Sequence, residues 1–409
     1  MKQRLGIYIH IPFCVQKCRY CDFTSYAGKS EEFKNRYIKC LLKQVKQLAE
    51  GPNSETAGSL DGLSVLKDRI VDSVFFGGGT PSLLSPGQLG EIMMALRTHF
   101  DLTDDCEITM EANPGTVTLE TLRGYRALGI NRLSFGVQSM EPEILKTLGR
   151  IHSAEDAAES VRLARIAGFK NLNLDLMFGI PGQSLDQWKS TLRKITALKP
   201  EHISFYSLQV EEETSIYNDI KFGTLEPLTD EEDRAMYHEG LAYLREQGYH
   251  QYEISNGAKP GYECRHNVKY WTLSDYAGFG VSAHGFVDGV RYSSGDDVND
   301  YMEALEQDKS PVVWIHKNEV EDSASEFLFT GLRLARGVDL EEFEGHFGRS
   351  FESMYEGILP ELEEFRRKGM VIIEGRSAED AGCSREGGRR MYLTERGMDI
   401  SNRIMALFV

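Results

Sequence analysis

Three cysteines stand close together near the amino end of the chain, in the stretch Cys14-Val-Gln-Lys-Cys18-Arg-Tyr-Cys21. The alternating apolar run Gly6-Ile-Tyr-Ile-His-Ile-Pro12 precedes them and predicts a short β-strand. The cysteines therefore fall on the loop that leaves the carboxyl end of that strand. Thiolates are soft ligands that hold iron–sulfur clusters, and a cubane cluster usually takes four of them. Three thiolates would leave one iron open to another ligand.

Two other interpretations of the cysteine group stay open on the residues alone. A structural zinc site takes four ligands, commonly as two Cys-x2-Cys pairs, and Cys18 with Cys21 forms one such pair without a second. A disulfide among the three would leave one thiol over. The spacing favours the cluster. The other cysteines are scattered singly, which is typical of small buried apolar side chains; they are Cys40, Cys106, Cys264 and Cys383.

Length and charge limit the class of protein. A chain of 409 residues predicts one large and one small domain. Its net charge of −17 disfavours a nucleic-acid partner, which needs a basic surface. The sequence has no run of 18 apolar residues, so no membrane helix is expected, and its start does not resemble a signal peptide. Seven cysteines, an odd number, favour reduced thiols and a cytoplasmic location.

Six predicted strands alternate with helices over the first half of the chain. The helices begin at capping residues such as Ser85 with Pro86, Thr118, and Ser184 with Gln187. This alternation predicts a parallel sheet with right-handed crossovers, as in a partial (β/α)6 barrel, with ligands at the carboxyl ends of the strands. The predicted strands are 6–12, 70–76, 107–111, 132–136, 171–177 and 202–208.

The remainder of the chain divides into two predicted segments. We expect the barrel to occupy residues 1–228, a connecting region residues 229–309, and a smaller helical domain residues 310–409. The last segment combines predicted helices at 319–334, 340–346, 350–367 and 395–407 with two strands at 370–374 and 389–393. Helices with a small hairpin are typical of a winged-helix unit. The acidic surface sequence of this segment favours a structural or docking role over DNA binding.

A run of glycines follows the second predicted strand, in Gly77-Gly78-Gly79-Thr80-Pro81. Glycines let the backbone approach a ligand closely and present its own N–H and C=O groups. By itself the run is equally compatible with a tight turn.

Polar residues also follow later strands. Glu111 ends the third strand, where a carboxylate can bind a cationic ligand or a ribose hydroxyl. The alternatives are a helix N-cap and a solvated charge on a loop. Gln138 follows the fourth strand. Asp175 lies inside the fifth strand among leucines, where a carboxylate is costly without a partner. Arg150 can grip a carboxylate with two hydrogen bonds, and we predict that it pairs with Asp175.

The Cys-x3-Cys-x2-Cys spacing, the tyrosine before the last cysteine and the glycine run resemble the signature of the radical S-adenosylmethionine (radical SAM) superfamily. The resemblance implies a [4Fe-4S] cluster on Cys14, Cys18 and Cys21. Its fourth iron would be chelated by S-adenosylmethionine, whose one-electron cleavage gives a 5′-deoxyadenosyl radical. The resemblance also implies a set of residues that bind S-adenosylmethionine: Tyr8, Gly78, Gly79, Thr80, Glu111, Gln138, Arg150 and Asp175.

From residue 8 to about residue 284, the motifs resemble one group, that of the oxygen-independent coproporphyrinogen III oxidases and the HemW-type haem chaperones. The oxidases continue the cluster loop as Cys-x-Cys and carry an extension before the first strand. Here Phe23 takes the cysteine position, and about five residues precede that strand. Both differences favour a chaperone that delivers haem to an acceptor protein, soluble or membrane-associated, with an electron donor as a further partner. The oxidase and a radical enzyme that modifies haem are the alternatives.

The segment His266-Asn267-Val-Lys-Tyr270-Trp271 supports the chaperone interpretation. Imidazole is a common axial ligand of haem iron, and aromatic rings pack against a porphyrin face. The alternative is a core histidine in an aromatic cluster. We therefore take His266, Tyr270 and Trp271 as the haem-binding candidates, with His10 and His284 as further candidate ligands.

Overall fold

A computed structural model of the chain describes residues 3–51, 66–375 and 388–409. Its strands are β1 (Arg4–Ile11), β2 (Phe13–Cys14), β3 (Tyr26–Ala27), β4 (Ile70–Gly78), β5 (Asp101–Ala112), β6 (Arg132–Gln138), β7 (Asn171–Phe178), β8 (His202–Ser207), β9 (His250–Glu253), β10 (Asn256–Ala258), β11 (Tyr276–Phe279), β12 (His284–Val287), β13 (Val290–Ser294), β14 (Val312–Lys317), β15 (Val338–Asp339), β16 (Val371–Glu374) and β17 (Arg390–Leu393).

The helices follow in the same chain order. They are α1 (Glu31–Glu50), α2 (Pro86–His99), α3 (Leu119–Leu128), α4 (Pro142–Thr147), α5 (Ala154–Ile166), α6 (Leu185–Ala197), α7 (Ser215–Lys221), α8 (Asp230–Glu246), α9 (Arg265–Trp271), α10 (Val298–Glu306), α11 (Val320–Gly331), α12 (Leu340–Phe347), α13 (Phe351–Met354), α14 (Leu359–Arg367), α15 (Glu395–Met398) and α16 (Ser401–Met405). Among the described helices, none is both long and apolar enough to cross a membrane.

Packing divides the described residues into two compact units. The larger comprises Met1–His250, Gly257–His266 and Asp275–His316, and the smaller comprises Gln251–Asn256, Asn267–Ser274 and Lys317–Val409, in each case over their described residues. Helix α9 spans the point at which the chain passes from the larger unit to the smaller one. The predicted segment limits at residues 228 and 309 stay predictions.

Six parallel strands form the centre of the larger unit, in the order β1-β4-β5-β6-β7-β8. Helices connect the successive strands, so the predicted partial (β/α)6 barrel is confirmed. The sheet continues beyond β1 through β11, which is parallel to β1, and then through β12, β13 and β14. Strand β5 begins at Asp101, six residues before the predicted start at 107.

The sequence sets the helix starts in the larger unit through side-chain capping. Reciprocal hydrogen bonds between the N-cap and the third helical residue occur at Ser85, Thr118, Ser153, Ser184 and Thr229. Each box satisfies backbone N–H groups that the first helical turn leaves without a partner. Because each helix begins shortly after a strand ends, the connecting loops gather at the carboxyl edge of the sheet.

The smaller unit contains helices α11 to α16 and a three-stranded antiparallel sheet in the order β15-β17-β16. One predicted helix, 350–367, is wrong as a single element. It is divided into α13, a short 3₁₀ turn and α14, because Pro360 lies in the first turn of α14 and supplies no backbone N–H. The predicted closing helix is likewise divided between α15 and α16.

Some predictions fall outside the described residues. They concern Cys383, together with most of the small, polar stretch 51–62 and the glycine-rich stretch between the two strands predicted at 370–374 and 389–393, both of which the sequence predicts as loops. The other three isolated cysteines, Cys40, Cys106 and Cys264, are buried as predicted.

Candidate functional site

The three clustered cysteines lie on a loop whose base is closed by two short strands. Strands β2 and β3 pair in parallel, and the Tyr26 N–H donates to the Pro12 carbonyl over 2.7 Å. Cys14, Cys18 and Cys21 are free thiols of intermediate exposure. The loop therefore holds three thiols after the carboxyl end of β1, where the sequence predicted them.

The His10 imidazole ties this loop to strand β1. One ring nitrogen, Nε2, lies 2.8 Å from the Thr24 carbonyl, and Nδ1 lies 3.1 Å from the Tyr8 hydroxyl. Burial lowers the pKa of His10, which favours the neutral ring. Nε2 thus holds the cysteine loop and Nδ1 is engaged by Tyr8 of β1, which argues against His10 as a haem ligand.

Two side chains donate hydrogen bonds to the cysteine sulfurs. The Thr80 hydroxyl lies 3.6 Å from Cys14 Sγ, and Arg150 Nη1 lies 3.4 Å from Cys18 Sγ. Two of the three sulfurs therefore have a side-chain donor beside them, and at Cys18 that donor is a cation. Burial, and next the neighbouring cysteines, raise the pKa of Cys21. Three adjacent thiolates would repel one another. Bound iron would supply the positive charge that offsets this repulsion.

The arrangement of these thiols also bears on zinc. Among the described residues, no three His, Cys, Asp or Glu side chains meet closely enough to hold one metal ion. Zinc draws its four ligands around a single ion, whereas in a cubane three cysteines bind three different irons.

The glycines at the end of β4 bring the backbone against the cysteine loop. A Cβ atom on Gly79 would lie 2.7 Å from the Phe13 carbonyl oxygen and 3.0 Å from Cys14 Sγ. On Gly78, whose φ is 110°, it would lie 2.6 Å from the His10 ring. Only glycine fits at both positions, so the run is more than a tight turn.

Glu111 lies at the end of β5, beside the glycine run. Its Oε2 accepts the Gly78 N–H over 3.2 Å. Burial, and next the charge of Asp175, raise the pKa of Glu111 to about 8. A carboxylate held in this state is stabilised by an added cation. Glu111 is therefore suited to bind a positively charged ligand group at the strand ends.

Asp175 obtains its hydrogen bonds from its own strand, β7, and from the neighbouring strand β6. Its carboxylate accepts from Asn173 Nδ2 over 2.7 Å and from the Ser134 hydroxyl over 3.1 Å. Burial raises the pKa of Asp175, and these hydrogen bonds together with the Arg132 charge oppose that rise. The register explains the contacts, since Ser134 lies opposite Asn173 in the β6–β7 pair.

The prediction that Arg150 pairs with Asp175 is wrong. The Arg150 guanidinium donates to Asn113 Oδ1 over 2.6 Å, to the Gly136 carbonyl and to Cys18 Sγ. It therefore connects the ends of β5 and β6 to the cysteine loop. Its positive charge therefore lies beside the Cys18 sulfur rather than being paired with the buried carboxylate.

Gln138 adopts a backbone conformation that is uncommon for a residue other than glycine, with φ of 65°. The pairing of β6 with β7 shifts register between Gly136 and Gln138, which marks a β-bulge. The Gln138 side-chain oxygen accepts from the Tyr206 hydroxyl over 3.4 Å. Bulges of this kind re-aim side chains beside functional sites. The sequence predicted the residue but not the bulge.

Arg132 is the main site residue that the sequence analysis missed. Only 1% of its surface is exposed, at the start of β6. Its charge opposes the rise in the pKa of both Glu111 and Asp175, and it helps to lower the pKa of the buried His202. An arginine at the start of a predicted strand looks solvated. In the sheet it pairs with Thr109 of β5 and with Asn171 of β7, and it is buried there.

The first of the haem-binding candidates, His266, is fully buried in the larger unit. Its Nδ1 lies 3.0 Å from the Ser73 hydroxyl, and its backbone N–H donates to Glu107 Oε1 over 3.3 Å. Its ring stacks on Phe75 with centroids 5.4 Å apart. This environment is that of a core histidine.

The other aromatic candidates belong to the smaller unit. Tyr270 and Trp271 lie edge to face, with centroids 6.3 Å apart. The Arg333 guanidinium covers the Trp271 ring at 4.4 Å from its centroid.

His284, the remaining histidine candidate, is exposed at the start of β12.

Comparison with known proteins identifies the family. Residues 8–195 match the model of the radical SAM superfamily, and residues 319–400 match that of the HemN C-terminal domain. Heme chaperone HemW of Bacillus subtilis (strain 168) is 34% identical over 403 residues, which cover 98% of each chain. Heme chaperone HemW of Escherichia coli (strain K12) is 36% identical over 412 residues, covering 99% of this chain and 98% of the relative.

The chain belongs to the HemW family of the radical SAM superfamily. Membership of the superfamily implies a [4Fe-4S] cluster and S-adenosylmethionine. Such a cluster requires thiols like those of the cysteine loop. Such a cationic cofactor requires groups like the glycine backbone and the Glu111 carboxylate described above.

A solved structure shows the same fold. Coproporphyrinogen III oxidase (HemN) from Escherichia coli, a radical SAM enzyme, aligns with a TM-score of 0.84 over 100% of this chain and 90% of that chain. The two sequences are 22% identical, so the likeness concerns the fold alone.

Proposed function

We propose that this protein is a haem chaperone, which binds haem and delivers it to an acceptor protein. One observation carries the proposal: curated proteins named heme chaperone HemW match nearly the whole chain at 34% and 36% identity. The exposed Phe23, in place of the oxidases' further cysteine, is consistent with it. The acceptor and the electron donor are partners that the proposal requires and does not name.

In this proposal Cys14, Cys18 and Cys21 hold a [4Fe-4S] cluster, and the residues at the strand ends hold S-adenosylmethionine. When bound, these two groups supply one-electron reductive chemistry. The chain's own residues provide the environment. Arg150 keeps a positive charge beside Cys18, and Glu111 offers a carboxylate to a cationic ligand. The proposed set at the strand ends is Tyr8, Gly78, Gly79, Thr80, Glu111, Gln138, Arg150 and Asp175.

The haem-binding residues of the proposal are His266, Tyr270 and Trp271. Support for His266 comes from the chemistry of imidazole and from the family resemblance of the segment. Since its ring is buried against Phe75 and bonded to Ser73, ligation of iron requires helix α9 to move. His284 is the alternative ligand that is already exposed.

The proposal predicts that the protein binds about one haem per chain after anaerobic reconstitution of its cluster. Haem titration followed by the Soret band measures this. Addition of apomyoglobin in excess to the loaded protein then tests release, because a carrier must give up its haem. A wild-type protein that binds no haem contradicts the proposal.

The same reconstituted sample should form no protoporphyrinogen IX from coproporphyrinogen III. Phe23 provides no thiolate where the oxidases have one, and the relatives at full length are named as chaperones. The assay is anaerobic incubation with reductant and S-adenosylmethionine, with product analysis by chromatography. A known oxidase run in parallel shows that the reductant works. Sustained turnover by this protein would favour the oxidase instead.

Glu111 gives a prediction about pH. Its pKa of about 8 means that the free protein holds a proton on Glu111 at pH 7. A cationic ligand needs the carboxylate, so its affinity should rise with pH and level off above pH 8. Titration of S-adenosylmethionine, followed by the electron paramagnetic resonance of the reduced cluster, measures this. Glu111→Gln should weaken binding most at high pH and flatten the profile, because an amide does not titrate. An identical profile in that variant would show that another group titrates.

A further inference from the structure

The smaller unit contains a cluster of charged and aromatic side chains that the proposed cofactor site does not use. The Arg333 guanidinium lies over the Trp271 ring, and its Nη2 donates to Glu253 over 3.4 Å. The Glu253 side chain is fully buried. Its other oxygen accepts the Ser255 N–H over 2.9 Å and the Asn256 amide. Glu253 is thus held in place by three donors, and it orients the guanidinium over the indole.

Two N–H groups of this cluster lack an acceptor among the residues that the structure describes. They are Arg333 Nε and Trp271 Nε1, and both atoms are shielded from solvent. Buried N–H groups in proteins are nearly always hydrogen-bonded, so two orphans on side chains in direct contact call for an explanation. Both groups are donors only, and one belongs to a cation. The ligand that would satisfy them is an anion with acceptor oxygens, such as a carboxylate.

We propose that Arg333 and Trp271 form a carboxylate-binding site whose ligand is a propionate group of haem. The inference rests on the proposed function and deepens it by assigning a residue that recognises the edge of the porphyrin. Arginine matches a carboxylate with parallel hydrogen bonds. The indole adds an apolar surface and a third donor beside it, which suits a carboxylate carried on a flat apolar ring. Trp271 also belongs to the segment that carries the other haem-binding candidates.

The competing occupant is a side-chain carboxylate, and Glu253 shows why it does not already fill the site. Glu253 engages the guanidinium through Nη2 alone, so the Nε–H stays without an acceptor among the described residues. The Glu253 oxygens are already committed to Ser255, Asn256 and Arg333. Glu253 therefore positions Arg333 and leaves its remaining donors for a second carboxylate.

The test compares two probes on the full-length reconstituted protein. Haem carries two free propionates, and haem dimethyl ester has the same ring and iron with both propionates esterified. Titrations of both in one detergent buffer give the preference for the free acid. We expect the wild type to prefer haem by about 10- to 100-fold, the range of a charge-assisted pair of hydrogen bonds. Arg333→Met should lose most of that preference while its affinity for the ester stays within about twofold.

Arg336→Met is the matched control. Arg336 is an exposed arginine in the same loop after α11, so its replacement removes the same charge from the region and leaves Arg333 and Trp271 unchanged. We expect this variant to keep the wild-type preference. An equal loss in both variants would show a general effect of charge and would overturn the site.

Two conservative variants guard against a folding defect in Arg333→Met. Arg333→Lys keeps the charge without the Nε–H, and Trp271→Phe keeps an aromatic ring without the indole N–H. Each should lower the preference for haem severalfold at an unchanged thermal midpoint. If both bind haem with the wild-type preference, the propionate lies elsewhere and the inference is wrong. If the wild type binds haem without any preference over the ester, the inference alone fails. If it binds neither probe, the chaperone proposal fails and the inference falls with it.

Discussion

Alanine in place of Cys14, Cys18 or Cys21 is expected to abolish the iron–sulfur absorbance of the anaerobically reconstituted protein. Each thiolate of the proposed cluster holds a different iron, so the loss of one leaves two of the four irons without a protein ligand. The loop offers no replacement, because the position where the oxidases have a further cysteine is Phe23. Visible absorbance together with iron and sulfide analysis measures the effect, which should approach complete loss.

Buried cysteines outside the loop are the matched controls. Cys40→Ala and Cys106→Ala remove thiols that lie in the core of the larger unit, where burial raises their pKa and keeps them protonated. These variants should retain the cluster and lose only some stability. A colourless wild-type protein that holds zinc after careful anaerobic reconstitution would contradict the cluster assignment.

The sequence predicts those parts of the site that depend on local pattern. A parallel alternation of strands and helices brings all carboxyl strand ends to one edge, so the strand-end positions of Cys14, Gly78 and Glu111 are enough to group them in one site. The reasons for glycine and cysteine at these positions are local and do not depend on strand register. The structure adds the reason for each glycine, since a Cβ atom at Gly78 would meet the His10 ring.

Partners inside the barrel could not be predicted, because they depend on register and not on spacing. Asp175 lies opposite Gly136, so the nearest donors to its carboxylate come from Ser134 and Asn173. Arg150 instead donates to Asn113 and to Cys18 of the cysteine loop. Sequence spacing gives no sign of a bulge either, and it is this bulge that shifts the register at Gln138.

Alanine in place of His266 is expected to lower the free energy of unfolding by roughly 2–4 kcal/mol and to weaken haem binding with a shifted Soret band. The first effect follows from the structure, since the variant removes a fully buried ring that stacks on Phe75 and bonds to Ser73. The second follows from the proposal that His266 ligates haem iron. Chemical denaturation and haem titration of the same preparation separate the two, provided that titration is done where the variant is fully folded.

Ser73→Ala is the control for the structural role of the His266 side chain. This variant removes the hydroxyl partner of Nδ1 and leaves the imidazole in place, so it should cost about 1 kcal/mol of stability and leave the Soret band unchanged. If His266 serves only the core, both variants should lose stability, and His266→Ala should bind haem with the same wild-type spectrum as Ser73→Ala. In that case the exposed His284 becomes the ligand to replace next. A Soret shift in His266→Ala alone ties the buried imidazole to iron, and it requires that helix α9 leaves its packed position when haem binds.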